Sequence, residues 1–148
     1  MAGGLDAGKY LWSSGREKCF SLDIPFNRTP EEERDLDLKR EAHEARAPGM
    51  RFASFPIPDR QVPNSESEVS AALDRIDADL KVGENVVVHC RQGIGRTGLV
   101  AACLLVSKGL TLEAAVKTPS AARGSSAPET AEQRCWIDHY AAVLAATK

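Results

Sequence analysis

Val69, Ala72, Leu73, Ile76 and Leu80 recur at intervals of three and four residues along an otherwise polar stretch, and this spacing predicts a helix with one apolar stripe. Ser65-x-x-Glu68 stands at its head as a capping box. The pattern then changes. "NVVVHC", Asn85 to Cys90, is apolar without alternation, as in a short strand covered on both faces in a parallel sheet. Arg96 to Ser107 is apolar on all sides and predicts a central, buried helix. Thr111 to about Ala122 predicts another helix. In a last one, from about Pro128 to Ala146, Trp136, Ile137, Tyr140, Val143 and Leu144 share a face.

Upstream the segments are shorter. "GKYLWSS" and "KCFSLDI" read as two strands separated only by Gly15 to Glu17, and "MRFASFPI" alternates into a third. Thr29-Pro30-Glu31-Glu32 supplies an N-cap hydroxyl, a proline at the first helical position and a glutamate to close the cap. The helix it starts runs to about Ala45 before Pro48-Gly49, and a stretch so rich in charge is ordinarily a solvated face. Strands alternating with helices imply an α/β layered sandwich, a mostly parallel central sheet flanked by helices. No repeat or low-complexity linker divides it, so residues 1–148 are expected to form one domain.

Charge adds a constraint. With 19 basic and 21 acidic residues the chain offers no global field for nucleic acid or an anionic membrane, so any anion site must be local. The longest apolar run, Leu99 to Val106, is too short to span a bilayer. Cys19, Cys90, Cys103 and Cys135 form no C-x-x-C pair, and no secretory pattern opens the sequence. The expectation is a soluble, cytoplasmic monomer of a reducing compartment, binding neither nucleic acid nor membrane, with a zinc site or disulfide framework poorly supported by the cysteine spacing.

Cys90 stands where the apolar strand ends, and in open α/β sheets ligands bind beyond the carboxyl ends of strands. Arg91, Gln92, Gly93, Ile94 and Gly95 then lead to a helix beginning at Arg96. The glycines allow a turn whose amides converge as an anion nest, with the helix N-terminus adding its dipole. Arg96 places a planar guanidinium over the same cup, able to grip two oxygens of a tetrahedral oxyanion. These features favour a thiolate at Cys90, and the Thr97 hydroxyl can donate to it. His89 reads as a positioning residue within the strand. Cys19, Cys103 and Cys135 lack this setting and read as ordinary buried cysteines.

A thiolate that attacks phosphorus must expel an oxygen leaving group, which a placed acid can protonate. Asp59 in "FPIPDRQVP" follows a predicted strand and so leaves the sheet at the same edge as Cys90. Aspartate after proline is also routine turn chemistry, and both readings stand on the residues alone. Arg60 reads as a solvated residue on the rim.

"HCRQGIGRTG" resembles the signature of the cysteine-dependent protein tyrosine phosphatase superfamily. From about Phe52 to Leu144 the likeness is to its small dual-specificity branch, with "ARGSSAPETAEQRCWIDHY" matching the stretch after the active-site helices. The resemblance implies a dual-specificity phosphatase-like fold, a phosphocysteine intermediate and no metal. It makes "PIPD" an acid loop, with Asp59 the acid and then the base. It gives Gln133 a structural or water-positioning role and Arg123 a place bracing the cup, while Glu129 stands where related enzymes often carry glutamine. Polyphosphoinositide phosphatases of the superfamily carry basic residues inside the cup, whereas Gln92 and Ile94 are neutral here.

These observations lead to the expectation of a phosphatase for phosphotyrosine, with phosphoserine or phosphothreonine as further substrates, whose partner is a phosphorylated protein or peptide. Two rivals use the same cup. An arsenate reductase-like thiol enzyme would need a resolving cysteine, and none adjoins Cys90. A non-catalytic phosphoprotein-binding module would not need the intact cysteine, arginine and candidate acid.

Overall fold

The computed structural model describes residues 17–21, 51–55, 57, 60–90 and 95–148. The expected strand "GKYLWSS" and the charged helix from Thr29 to Ala45 lie outside these residues. Three strands are described, β1 (Glu17–Ser21), β2 (Arg51–Ser54) and β3 (Asn85–His89), in the order β2-β1-β3 and all parallel. Four helices follow the strand pair or flank β3: α1 (Glu66–Lys81), α2 (Gly95–Ser107), α3 (Leu112–Arg123) and α4 (Ala131–Ala146).

The register aligns the strand ends. Ser21 of β1 pairs with Ser54 of β2 on one side and with His89 of β3 on the other. Chain leaving β2 and chain leaving β3 therefore emerge at the same edge, one strand apart, or about 10 Å at ordinary strand spacing. This is the edge on which Asp59 and Cys90 are expected.

The helices form where their caps and stripes direct. Ser65 Oγ accepts from Glu68 N at 3.3 Å to start α1, and Val69, Leu73 and Ile76 turn inward. Thr111 Oγ1 accepts from Ala114 N at 3.3 Å to start α3, and Gly124 ends it in a left-handed conformation, φ 68°. The last helix begins at Ala131, not near Pro128: Thr130 is its N-cap and forms a capping box with Gln133. That T-x-x-Q signal lay in the sequence, behind a proline that suggested an earlier start.

The core joins Val86 and Val88 of β3 to Val69, Leu73 and Ile76 of α1, to Leu99, Val100, Ala102 and Cys103 of α2, and to Ile137 and Tyr140 of α4. Burying each large aliphatic side chain contributes about 1.5–3 kcal/mol. α2 is the central element, packed against β3 and the other three helices, as its all-round apolar surface requires. Its Gly98 admits the closest approach. A Cβ there would lie 2.8 Å from the Cβ of Ala127, which Ser120 Oγ holds through both its N–H, at 3.0 Å, and its carbonyl, at 2.9 Å. No helix among the described residues is long and apolar enough to cross a membrane.

Candidate active site

Cys90 follows the last residue of β3, His89, as expected, and is buried. Thr97, in the first turn of α2, donates from Oγ1 to Cys90 Sγ at 3.1 Å, within reach for a hydroxyl–sulfur hydrogen bond. The contact sets the sulfur at the N-terminal end of α2. Thr97 is 1% exposed, so the donor acts in a medium that screens it little.

Arg96 is 2% exposed and donates from Nη1 to the carbonyl of Ile57 at 2.9 Å. Ile57 is itself fully buried, three residues beyond the end of β2. The arginine thus ties the start of α2 to the chain leaving β2, on the far side of β1.

A second tie comes from Gln133, which is fully buried. Its Oε1 accepts from Glu129 N and Thr130 N, each at 3.2 Å, and its Nε2 donates to the carbonyl of Gln61 at 3.1 Å. These bonds give Gln133 a structural role joining the start of α4 to the segment after β2. The same side chain lies against Gly95: a Cβ there would meet Gln133 Oε1 at 3.0 Å and Glu129 Oε2 at 3.1 Å. Glycine at position 95 is what lets the first turn of α2 seat on α4.

Arg60, expected on the solvated rim, is exposed but paired, its Nη1 donating to Glu129 Oε1 at 2.9 Å. No periodicity announces a pair 69 residues apart, nor the carbonyl contacts at Ile57 and Gln61. Arg123 lies in the last turn of α3, partly buried. Asp59 and the loop residues Arg91, Gln92, Gly93 and Ile94 lie outside the described residues, whereas Cys90, Gly95, Arg96, Thr97 and Gln133 converge.

The other cysteines differ from Cys90. Cys103 is fully buried in α2, and burial pushes its thiol well above the ordinary range. Cys135 lies on the exposed side of α4, which corrects its expected burial.

A family model described as "Polymorphic toxin system, DSP-PTPase phosphatase" matches residues 28–110. Cyclin-dependent kinase inhibitor 3 of Rattus norvegicus is 33% identical over 93 residues, covering 62% of this chain and 43% of that protein. The chain thus spans less than half the length of the curated relatives it matches. Among solved structures, kinase associated phosphatase with its catalytic-site cysteine replaced by serine aligns with a TM-score of 0.76 at 25% identity, over 89% of this chain and 72% of the other. Tk-PTP in its active form aligns with a TM-score of 0.69 at 24% identity, over 86% and 80%, a likeness of fold. The α/β architecture is that of the small dual-specificity phosphatases.

Proposed function

This chain belongs to the DSP-PTPase phosphatase family of polymorphic toxin systems, and from that membership we propose that it hydrolyses phosphate monoesters on proteins through a phosphocysteine intermediate. The observation that carries the reading is the Thr97 hydroxyl donating to Cys90 Sγ, with Arg96, the residue before Thr97, buried in the same first turn of α2.

In the first step Cys90 thiolate attacks phosphorus, an S–P bond forms, and the P–O bond to the protein side chain breaks. The departing oxygen takes a proton from the Asp59 carboxylic acid. Arg96 and the amides from Arg91 to Arg96 hold the equatorial oxygens, where charge is best stabilised by preorganised donors. Asp59, now a carboxylate, then takes a proton from water as that water attacks phosphorus. The S–P bond breaks, and phosphate and thiolate are released. Thr97 stabilises the thiolate in both steps. His89 and Gln133 support the frame, and Arg123 braces the cup. No step calls for a metal or cofactor. The reading treats residues 1–148 as one cytoplasmic, monomeric domain acting on phosphotyrosine and also on phosphoserine or phosphothreonine. Because the family's description names toxin systems, we place the substrates among phosphoproteins whose loss harms the cell that meets the domain.

Hydrolysis of p-nitrophenyl phosphate across pH, with chelator and reductant present, tests the chemistry. Turnover should follow a bell with a mildly acidic optimum and vanish in Cys90→Ser. Undiminished turnover in that variant would reject Cys90 as nucleophile. Binding of phosphopeptide without turnover would favour a binding module, and arsenate-dependent thiol consumption the reductase. Expression of native chain but not Cys90→Ser should slow growth if the setting is a toxin's.

A further inference from the structure

Three residues of the segment after β2, Ile57, Arg60 and Gln61, are engaged by site elements, and the reading of Asp59 as the acid gives this a consequence. Arg96 grips the segment at Ile57 through a buried bond to a carbonyl, and Gln133 grips it at the carbonyl of Gln61 through a partly buried one. Arg60 lies between these grips with φ at 60°, a left-handed conformation that a non-glycine residue keeps only where its surroundings hold it. Its Nη1 donates to Glu129 Oε1 at 2.9 Å. Glu129 immediately precedes the N-cap of α4, and its other oxygen is the one that a Cβ on Gly95 would meet at 3.1 Å. One carboxylate therefore stands between Arg60 and the first turn of α2.

We propose that Arg60 and Glu129 are a positioning pair, an ionic latch that docks the chain at Arg60 and Gln61, next after Asp59, on the start of α4. The inference rests on the phosphatase reading, since the latch serves catalysis only if Asp59 is the acid. The pair has two effects. It fixes the backbone one residue from Asp59, and it cancels a carboxylate charge that would otherwise repel an incoming phosphate. The Arg60 side chain is 64% exposed and that of Glu129 is 29% exposed, so the pair is weak and screened by salt.

The test combines order with chemistry. Glu129→Gln keeps the shape and removes the charge, and Arg60→Glu/Glu129→Arg restores a pair with the signs exchanged. In the native chain the backbone amide order parameters at Arg60 and Gln61 should lie near the rigid value of ~0.85. They should fall in Glu129→Gln and recover in the exchanged pair. The kcat for aryl phosphates with poor leaving groups should fall about two- to five-fold in Glu129→Gln, on the scale of an exposed ion pair. Esters with good leaving groups, which need no acid, should change little. Unaltered order parameters, or equal losses for all leaving groups, would overturn the latch. Absence of turnover in the native chain would instead reject the phosphatase reading, and the order parameters would still decide whether the latch exists.

Discussion

Thr97 Oγ1 donates to Cys90 Sγ at 3.1 Å, a buried contact between two residues on either side of the strand-to-helix corner. Hydrogen bonds to charged groups contribute about 1.5–3 kcal/mol, so loss of this donor should be visible in the rate. Thr97→Val, which preserves shape, is expected to lower kcat for an aryl phosphate by about 10- to 100-fold. Thr97→Ser should retain most activity. Equal rates for native chain and Thr97→Val would remove Thr97 from the mechanism.

Gly98 is the seat of α2 on Ala127. A methyl group there would press on atoms held by Ser120 from both sides, with no flexible end to move away. Gly98→Ala should destabilise the fold by about 1–3 kcal/mol, as overpacking does, read from the denaturant midpoint. An unchanged midpoint would mean that the contact yields freely.

Thiol labelling at neutral pH, mapped peptide by peptide, should separate three cysteines. Cys135 is exposed and should react in the native state, while Cys103, buried with its thiol pushed up, should react only on unfolding. Labelling of Cys90 should be slowed by inorganic phosphate, which competes for the same cup. Phosphate protection at Cys135 as well would show a general effect instead of a site.

Tyr140 gives the fold an alkaline limit. Its ring stacks on Trp136 at 5.6 Å, its hydroxyl meets Ser70 Oγ at 3.3 Å, and burial raises its phenol above the ordinary value. A raised value favours the neutral phenol in the fold. That stability is therefore complete below about pH 10, where the unfolded phenol titrates, and is lost as pH rises through the folded value. Unfolding midpoints compared on either side of about pH 10 should fall more steeply for the native chain than for Tyr140→Phe. Parallel declines would assign the alkaline loss elsewhere.

Much of this was legible along the chain because single segments carried it. β3 and α2 were readable from continuous apolar runs, α1 from its stripe and cap, and the phosphatase family from one string around Cys90 that the family match bears out. The start of α4 was placed too early, near Pro128, while the capping box of Thr130 with Gln133 sets the boundary. The ties that organise the site were invisible for a different reason. Arg96 to Ile57, Gln133 to Gln61 and Arg60 to Glu129 join positions far apart in sequence, and pairwise contacts of that kind leave no periodic trace.

The rank formed by Ser54, Ser21 and His89 sets a gauge for the chemistry. β1 acts as a spacer, so the chain leaving β2, which carries the proposed acid, and the chain leaving β3, which carries the proposed nucleophile, stand two strand spacings apart, about 10 Å, a distance written in backbone hydrogen bonds. Loop length does not enter it. Insertions between β1 and β2, or between β2 and β3, should leave that gauge untouched, and the outer surface can diversify toward new substrates while the two reactive segments stay in step.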